Sequence, residues 1–208
     1  MTADRLVLVK LFAFALMLLD HAILALAPEL SSWRAITGAA FPLFCLAFGA
    51  SLPAAASCPA VAARCLAWSV PAAACWLWLG AGWPINVLVV LGCSAAAVSA
   101  QLSAPVRVAA LLVLVVGIAV DVVEGWLFGP AFVAAGYFGA KQFAVVAGRV
   151  PALLLLALYA VVTPGALLAA VVWLACPWFP SSDRRVGRWM LPAYPVHLVV
   201  LAAARSFV

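Results

Sequence analysis

Charged residues are scarce in this chain of 208 residues. Asp, Glu, Lys and Arg make up 8% of it, whereas 70% is hydrophobic and the mean hydropathy is +1.27. A soluble domain of this length cannot bury so much apolar surface, which excludes a soluble globular protein. The apolar residues form unbroken blocks, not the short alternating segments of a transmembrane β-barrel. The composition therefore predicts an all-α protein, a polytopic membrane helical bundle.

The sequence also lacks the motifs of several classes of site. None of its six cysteines forms a C-x-x-C pair, so neither a metal site nor a disulfide framework is expected. It contains no glycine-rich phosphate loop, so any nucleotide or coenzyme would have to bind through side chains. The net charge of +5 is attributed to basic cytoplasmic loops beside membrane lipids, and no nucleic acid partner is expected.

Apolar runs punctuated by prolines predict one transmembrane domain over residues 1–208, with about eight spanning helices. These spans lie near 6–27, 35–57, 60–80, 84–102, 105–123, 129–147, 151–176 and 189–206. The distribution of basic residues favours a multi-pass protein with its N-terminus in the cytoplasm, and it puts Arg205 on the same side.

One basic segment, 181–188, does not fit this topology, because eight spans place it outside. A break at Thr163-Pro164-Gly165 would move it to the cytoplasm. Each half of 151–176 would then be too short to cross a hydrocarbon core of about 30 Å, so one unbroken helix is predicted there. With eight spans, eight of the nine tryptophans fall near the outer ends of helices, which indicates a docking face there.

Ionisable residues within the predicted spans are the candidates for a functional site, because their burial in hydrocarbon is costly. The candidates are Lys10, Asp20, His21, Asp121 and His197, with Glu124 and Arg34 at the outer edge.

The first helix concentrates three of these groups. Lys10 and His21 share a face and are separated by roughly 16 Å along the axis, with Asp20 beside His21. A neutral histidine can take a proton from an amine or a hydroxyl, and an adjacent carboxylate can orient it. The alternative is that the Asp-His pair only joins helices by hydrogen bonds and that Lys10 extends to the interface.

Two further segments carry polar groups. Asp121 and Glu124 are three residues apart and share a face of their helix. His197 follows Pro192 and Pro195, which are expected to kink the last helix and free backbone carbonyls. Cys45 is expected to be a core residue, with a nucleophile as the alternative reading.

Four segments together resemble the TraX family of conjugative pilin acetylases, particularly its short TrbP-like branch. They are "VKLFAFALMLLDHAILAL" (9–26), "RAITGAAFPLFCLAFG" (34–49), "EGWLFGPAFVAAGYFGAK" (124–141) and "YPVHLVVL" (194–201). The second segment departs from the family pattern, since Thr37 stands where the family has Gly and Gly38 where it has Arg.

The resemblance implies acetyl transfer from acetyl-CoA to the N-terminal amine of a conjugative pilin in the bacterial inner membrane. For this reaction we hypothesise that His21 is the general base, that Asp20 orients it and stabilises its charged form, and that His197 stabilises an oxyanion or protonates the leaving group. Substrate or coenzyme binding is assigned to Lys10, Arg34, Asp121, Glu124 and Tyr194, and motif structure to Phe41, Pro42 and Pro195.

Three other functions are open at this point. A head-to-tail pilin cyclase would use the same acceptor amine and the pilin's own C-terminal carbonyl, with Cys45 as the thiol to test. A non-enzymatic pilin escort would use the outer tryptophans as its docking face. A proton-coupled transporter would need paired acids along a continuous path, and the inner half of the chain holds few.

Overall fold

The computed structural model describes residues 3–52, 57–79, 86–119, 128–141, 149–178 and 189–207. These residues form helices and short turns with no strand among them, so the predicted all-α bundle is confirmed. The helices are α1 (Ala3–Leu26), α2 (Arg34–Thr37), α3 (Ala40–Ser51), α4 (Cys58–Trp78), α5 (Val87–Val98), α6 (Ala104–Ala119), α7 (Phe128–Lys141), α8 (Val150–Tyr159), α9 (Gly165–Ala175) and α10 (Met190–Arg205). Short 3-10 turns cover Pro28–Trp33 and Cys176–Trp178.

Three described segments are long and apolar enough to cross a membrane, namely Leu6–Leu26, Pro28–Ser51 and Cys58–Trp78. The remaining apolar helices have 10–17 residues each. One face of α6 exposes a row of valine and leucine side chains, among them Val108, Leu112 and Val116. Such a face is stable in contact with lipid tails, as a polytopic membrane bundle requires.

The closest helix crossing joins α3 and α7 through two glycines. A Cβ atom added to Gly49 would collide with the carbonyl group of Val133, and one added to Gly136 with the carbonyl oxygen of Leu46. The backbones therefore touch directly, which is the way membrane helices gain packing energy through small residues. This crossing fixes α3 at the centre of the bundle.

Helices α1 and α3 run in opposite directions, and polar contacts join α1 to α3 at one end and to α2, which precedes α3, at the other. Lys10 Nζ donates a hydrogen bond to Ser51 Oγ at one end, at 2.9 Å. Asp20 accepts hydrogen bonds from Arg34 and Thr37 at the other. These two ends of the bundle are called the Lys10 end and the Arg34 end below.

The structure divides the helix predicted over 151–176, so that prediction is corrected. Helix α8 ends at Tyr159, the turn 160–164 follows, and α9 begins at Gly165. Pro164 has no N–H to continue the helix, and the amides of Val162 and Thr163 both bond to the carbonyl of Tyr159. The length argument against the break failed because each short helix packs one face against the bundle, with Leu156 of α8 and Ala169 and Trp173 of α9 buried.

The break reverses the direction of everything after it. In α10, His197 packs against Phe14 and His21 of α1. About two turns later Arg205 lies near Leu24 of α1 and donates to the carbonyl of Leu79 just beyond α4. Helix α10 therefore runs parallel to α1 and α4, and Arg205 lies at the Arg34 end. The prediction that Arg205 shares the Lys10 end is wrong, because it counted one helix where the chain makes two.

The predicted outer belt of tryptophans is corrected at two of its members, while Trp83 and Trp126 lie outside the described residues. Trp173 is only 2% exposed, in the core, and Trp189 precedes α10 at the Lys10 end. The basic segment 181–188 lies outside the described residues.

Candidate functional site

A cavity of about 490 Å³ opens among α1, α2, α4, α10 and the turn 160–164 at the Arg34 end. We call it the site cavity. Residues predicted from the sequence that line it are Asp20, His21, Arg34, Phe41 and Tyr194. Lining residues that were not predicted include Thr37, Trp76, Asn86, Tyr159 and Thr163. The volume is in the range of a small-molecule or peptide-terminus site.

Two histidines from opposite ends of the chain meet beside the cavity. His21 Nδ1 lies 2.8 Å from His197 Nε2, and the two rings are stacked with centroids 5.1 Å apart. The sequence identified both histidines as site residues but did not predict a contact between them. The structure brings them together. His21 lines the cavity, whereas His197 lies behind it.

The backbone determines which nitrogen carries each proton. His197 Nδ1 lies 3.3 Å from the carbonyl oxygen of Ala193, which can only accept, so Nδ1 carries the proton and donates it. In the neutral ring Nε2 of His197 is then an acceptor, and His21 Nδ1 must donate to it. His21 Nε2 is therefore deprotonated, and among the described residues no partner bonds to it. A ring in this tautomer can act as a base.

Aromatic rings surround the histidine pair. Trp76 meets the His21 ring edge-on with centroids 4.9 Å apart, and Phe14 meets the ring of His197 at 6.0 Å. Trp76 Nε1 donates a hydrogen bond to the hydroxyl oxygen of Tyr194 at 3.3 Å. The rings pack against both imidazoles and hold them in place.

Asp20 is held by α2, not by His21. Its Oδ1 accepts from Thr37 Oγ1 at 2.6 Å and from Arg34 Nε at 3.2 Å, and its Oδ2 faces the Arg34 guanidinium at 3.4 Å. The chain reverses just beyond α1, where Pro28 starts the 3-10 turn, and this reversal brings α2 back beside Asp20. The predicted orienting bond from Asp20 to His21 is not formed among the described residues, and His197 takes that place.

Several predicted site residues do not line the cavity. Lys10 lies at the other end, bonded to Ser51. Pro42 and Cys45 are buried in α3, and Cys45 is 0% exposed. The carbonyl of Pro195 faces Cys75 Sγ at 3.9 Å. Asp121 and Glu124 fall outside the described residues.

The unpredicted lining residues had little local signal. Thr37 attracted notice only as a departure from a family motif. Asn86 caps the N-terminus of α5, where its Oδ1 accepts a hydrogen bond from the amide of Leu88, so its local role is structural. Trp76 and Tyr159 stand in apolar runs that look like any buried helix. Within the part of the chain that the structure describes, no cluster of three His, Cys, Asp or Glu is placed to hold a metal.

A model of the family described as TraX protein matches residues 5–205, which is nearly the whole chain. The chain matches no curated protein and no solved structure. The match covers both histidines and every described residue of the site cavity, so the resemblance found in four sequence segments extends over the entire bundle.

Proposed function

The chain belongs to the TraX family, which links it to the processing of conjugative pilins, and from this premise we propose that it is an acyltransferase of the bacterial inner membrane. In this proposal it transfers an acetyl group from acetyl-CoA to the N-terminal amine of a conjugative pilin.

The observation that carries the proposal is the histidine pair beside the site cavity. His21 presents an unprotonated Nε2, and its Nδ1–H is held by His197 at 2.8 Å. Serine hydrolases arrange their catalytic histidine in the same way, with one nitrogen donating to a fixed acceptor and the other acting as base. Here the fixed acceptor is an imidazole in place of a carboxylate.

The reaction balances with this one base. The amine nitrogen bonds to the thioester carbonyl carbon and gives its proton to His21 Nε2. The carbon–sulfur bond then breaks, and the departing thiolate takes the proton back from His21. The products are an N-acetyl amide and a free thiol, and His21 returns to its starting state. His197 is a positioning residue that keeps Nδ1 of His21 protonated.

The cyclase alternative would have to activate the C-terminal carbonyl of the pilin, either with a nucleophile of the protein or in a second site that binds this acyl group. Cys45, the thiol considered for it, is fully buried and does not line the cavity. The escort alternative depended on an outer belt of tryptophans, and among the described residues Trp173 and Trp189 do not belong to such a belt. We therefore argue for acetyl transfer, and the experiment below separates the three.

The test is the intact mass of the cognate pilin, co-expressed with the wild-type protein or with His21→Ala. We expect the mass of one added acetyl group with the wild type and, because a general base contributes about 10²- to 10⁴-fold, almost none with the variant. Cys45→Ser is the control that should keep the modification.

Two other masses would contradict the proposal. A pilin lighter by one water than its mature linear chain would indicate cyclisation. An unmodified pilin with the wild-type protein, while the protein is folded and membrane-inserted, would rule out the enzyme reading for that pilin.

A further inference from the structure

Acyl transfer needs a hydrogen-bond donor for the negative charge that develops on the carbonyl oxygen. His197 was assigned this role from the sequence, but it lies behind His21 and outside the cavity lining. We propose that the phenolic O–H of Tyr194 is this oxyanion donor, a catalytic role that rests on the proposed acyl transfer.

The hydroxyl of Tyr194 is set up to donate. Trp76 Nε1–H donates to its oxygen at 3.3 Å, which occupies a lone pair and leaves the hydroxyl proton to point elsewhere. Among the described residues no acceptor takes that proton. Tyr194 is only 4% exposed, and the side chains of Tyr194 and Trp76 both line the cavity. A buried hydroxyl proton without an acceptor is uncommon and marks a place for a ligand acceptor.

Tyr194 also lies in the right place relative to the base. Its ring centroid is 6.1 Å from that of His21 and 5.2 Å from that of His197. Residues 194 and 197 are three apart on α10, so one helix face carries the positioning histidine and the hydroxyl. A carbonyl group between His21 and Tyr194 would have its carbon near the base and its oxygen near the donor.

The step needs no proton transfer to the oxygen. When the amine nitrogen attacks, the carbonyl π electrons move onto oxygen, which accepts the Tyr194 hydrogen bond. When the tetrahedral intermediate collapses, the electrons return, the carbon–sulfur bond breaks and the thiolate leaves. The donation by Trp76 strengthens the hydroxyl as a donor, because hydrogen bonds in a chain polarise one another.

The remaining hydroxyls near the cavity are less suited. Thr37 Oγ1 already donates to Asp20. Thr163 lines the cavity, and no acceptor for its hydroxyl lies among the described residues, so it is the rival donor. Thr163 belongs to the turn 160–164 and packs against Gly38, the residue that follows α2. Tyr194, in contrast, packs against the ring of the base His21.

The experiment compares Tyr194→Phe with the wild type in detergent micelles, using acetyl-CoA and a peptide of the pilin N-terminus. Loss of one oxyanion donor is expected to lower kcat by about 10²- to 10³-fold with little change in either KM. Tyr137→Phe is the matched control, since this tyrosine lies on α7 outside the cavity lining, and it should keep wild-type kcat. A tyrosine analogue with fluorine on the ring, placed at 194, keeps the shape and makes the hydroxyl more acidic, so its kcat should equal or exceed the wild type.

Each outcome decides something. A Tyr194→Phe protein that keeps kcat while the wild type is active would overturn this inference and leave the proposed acyl transfer intact. A large loss in Thr163→Val together with a small one in Tyr194→Phe would assign the donor to Thr163 instead. An inactive wild-type protein would overturn the proposed function, and this inference with it.

Discussion

The two ends of α1 each bury an ionisable side chain against the helices that follow, but the two contacts differ in what surrounds them. At the Lys10 end, Lys10 donates to Ser51 Oγ, and Ser51 in turn donates to the carbonyl of Phe48 at 2.7 Å. At the Arg34 end, the Asp20 contacts border a cavity of about 490 Å³ with a histidine pair beside it.

The comparison shows that a buried charge is not by itself a functional site. Both ends carry the cost of burying an ionisable group, and both offset it with hydrogen bonds. In the part of the chain that the structure describes, the Arg34 end alone adds space for a ligand and polar atoms whose bonding capacity is incomplete, among them Nε2 of His21 and the hydroxyl of Tyr194. Space together with unfilled bonding capacity is what separates the two ends.

Of the variants that break a contact of α1 and leave His21 in place, His197→Ala should have the largest effect on activity. In His197→Ala, His21 loses the acceptor that holds its charged form. A hydrogen bond to a charged group is worth about 1.5–3 kcal/mol, so kcat should fall by about 10- to 100-fold. Steady-state kinetics of acetyl transfer to the pilin peptide measures this.

The conservative variant separates orientation from packing at the same position. In His197→Gln the side-chain carbonyl oxygen can accept from His21 Nδ1, so part of the lost rate should return. If His197→Gln were as slow as His197→Ala while both unfold like the wild type, the hydrogen bond would not be the reason for the effect.

Removal of the Asp20–Arg34 contact should affect stability moderately. The pair is partly exposed, with side chains 18% and 35% accessible, so Asp20→Asn and Arg34→Gln should each cost about 1–2 kcal/mol. The double variant should cost less than the sum by about 1 kcal/mol, because the two side chains interact directly. Reversible unfolding in mixed micelles gives the four free energies, and strictly additive values would show that the contact contributes nothing.

Lys10→Met should have the smallest effect. Ser51 keeps its bond to the carbonyl of Phe48, and an apolar side chain of similar length replaces a buried ion, so unfolding should change by about 1 kcal/mol or less in either direction. Acetyl transfer should stay within about threefold of the wild type, because Lys10 lies roughly 16 Å from His21 along α1. A several-fold rise in the KM for acetyl-CoA would instead show that Lys10 contributes to binding of acetyl-CoA, the role predicted from the sequence.

Much of the site was predictable, because buried polar residues stand out in an apolar chain. Asp20, His21 and His197 were identified one by one from the cost of their burial. Their partners were not, and the nearest neighbour in sequence proved misleading. Asp20 adjoins His21, yet adjacent residues point about 100° apart on a helix, so Asp20 turns to Arg34 and Thr37 while His21 turns to His197.

The break after Tyr159 shows where local reasoning needed tertiary information. Thr163-Pro164-Gly165 marks a turn, but the length of each half argued for a single helix. In the bundle, Gly165 sits against the backbone of Ala35 and Ala39, so the turn is packed against α2 instead of facing lipid alone. Irregular backbone at membrane depth is tolerated where protein or a cavity covers it. Helix α2 lies more than 120 positions earlier in the chain, so the sequence around the turn gives no sign of this contact.

The amino-acid sequence by itself determined the membrane class, the helical architecture, the family and most of the polar groups of the site, because each depends on composition or on residues close together in the chain. The tertiary structure alone decided the direction of α10, the cavity and the hydrogen bonds that assign roles to its residues. His21 and His197 are 176 positions apart, and a bond of 2.8 Å between them exists only after the helices have packed. Hydrogen bonds act over a few ångströms, so their partners are set by the packing of distant segments and not by sequence neighbourhood.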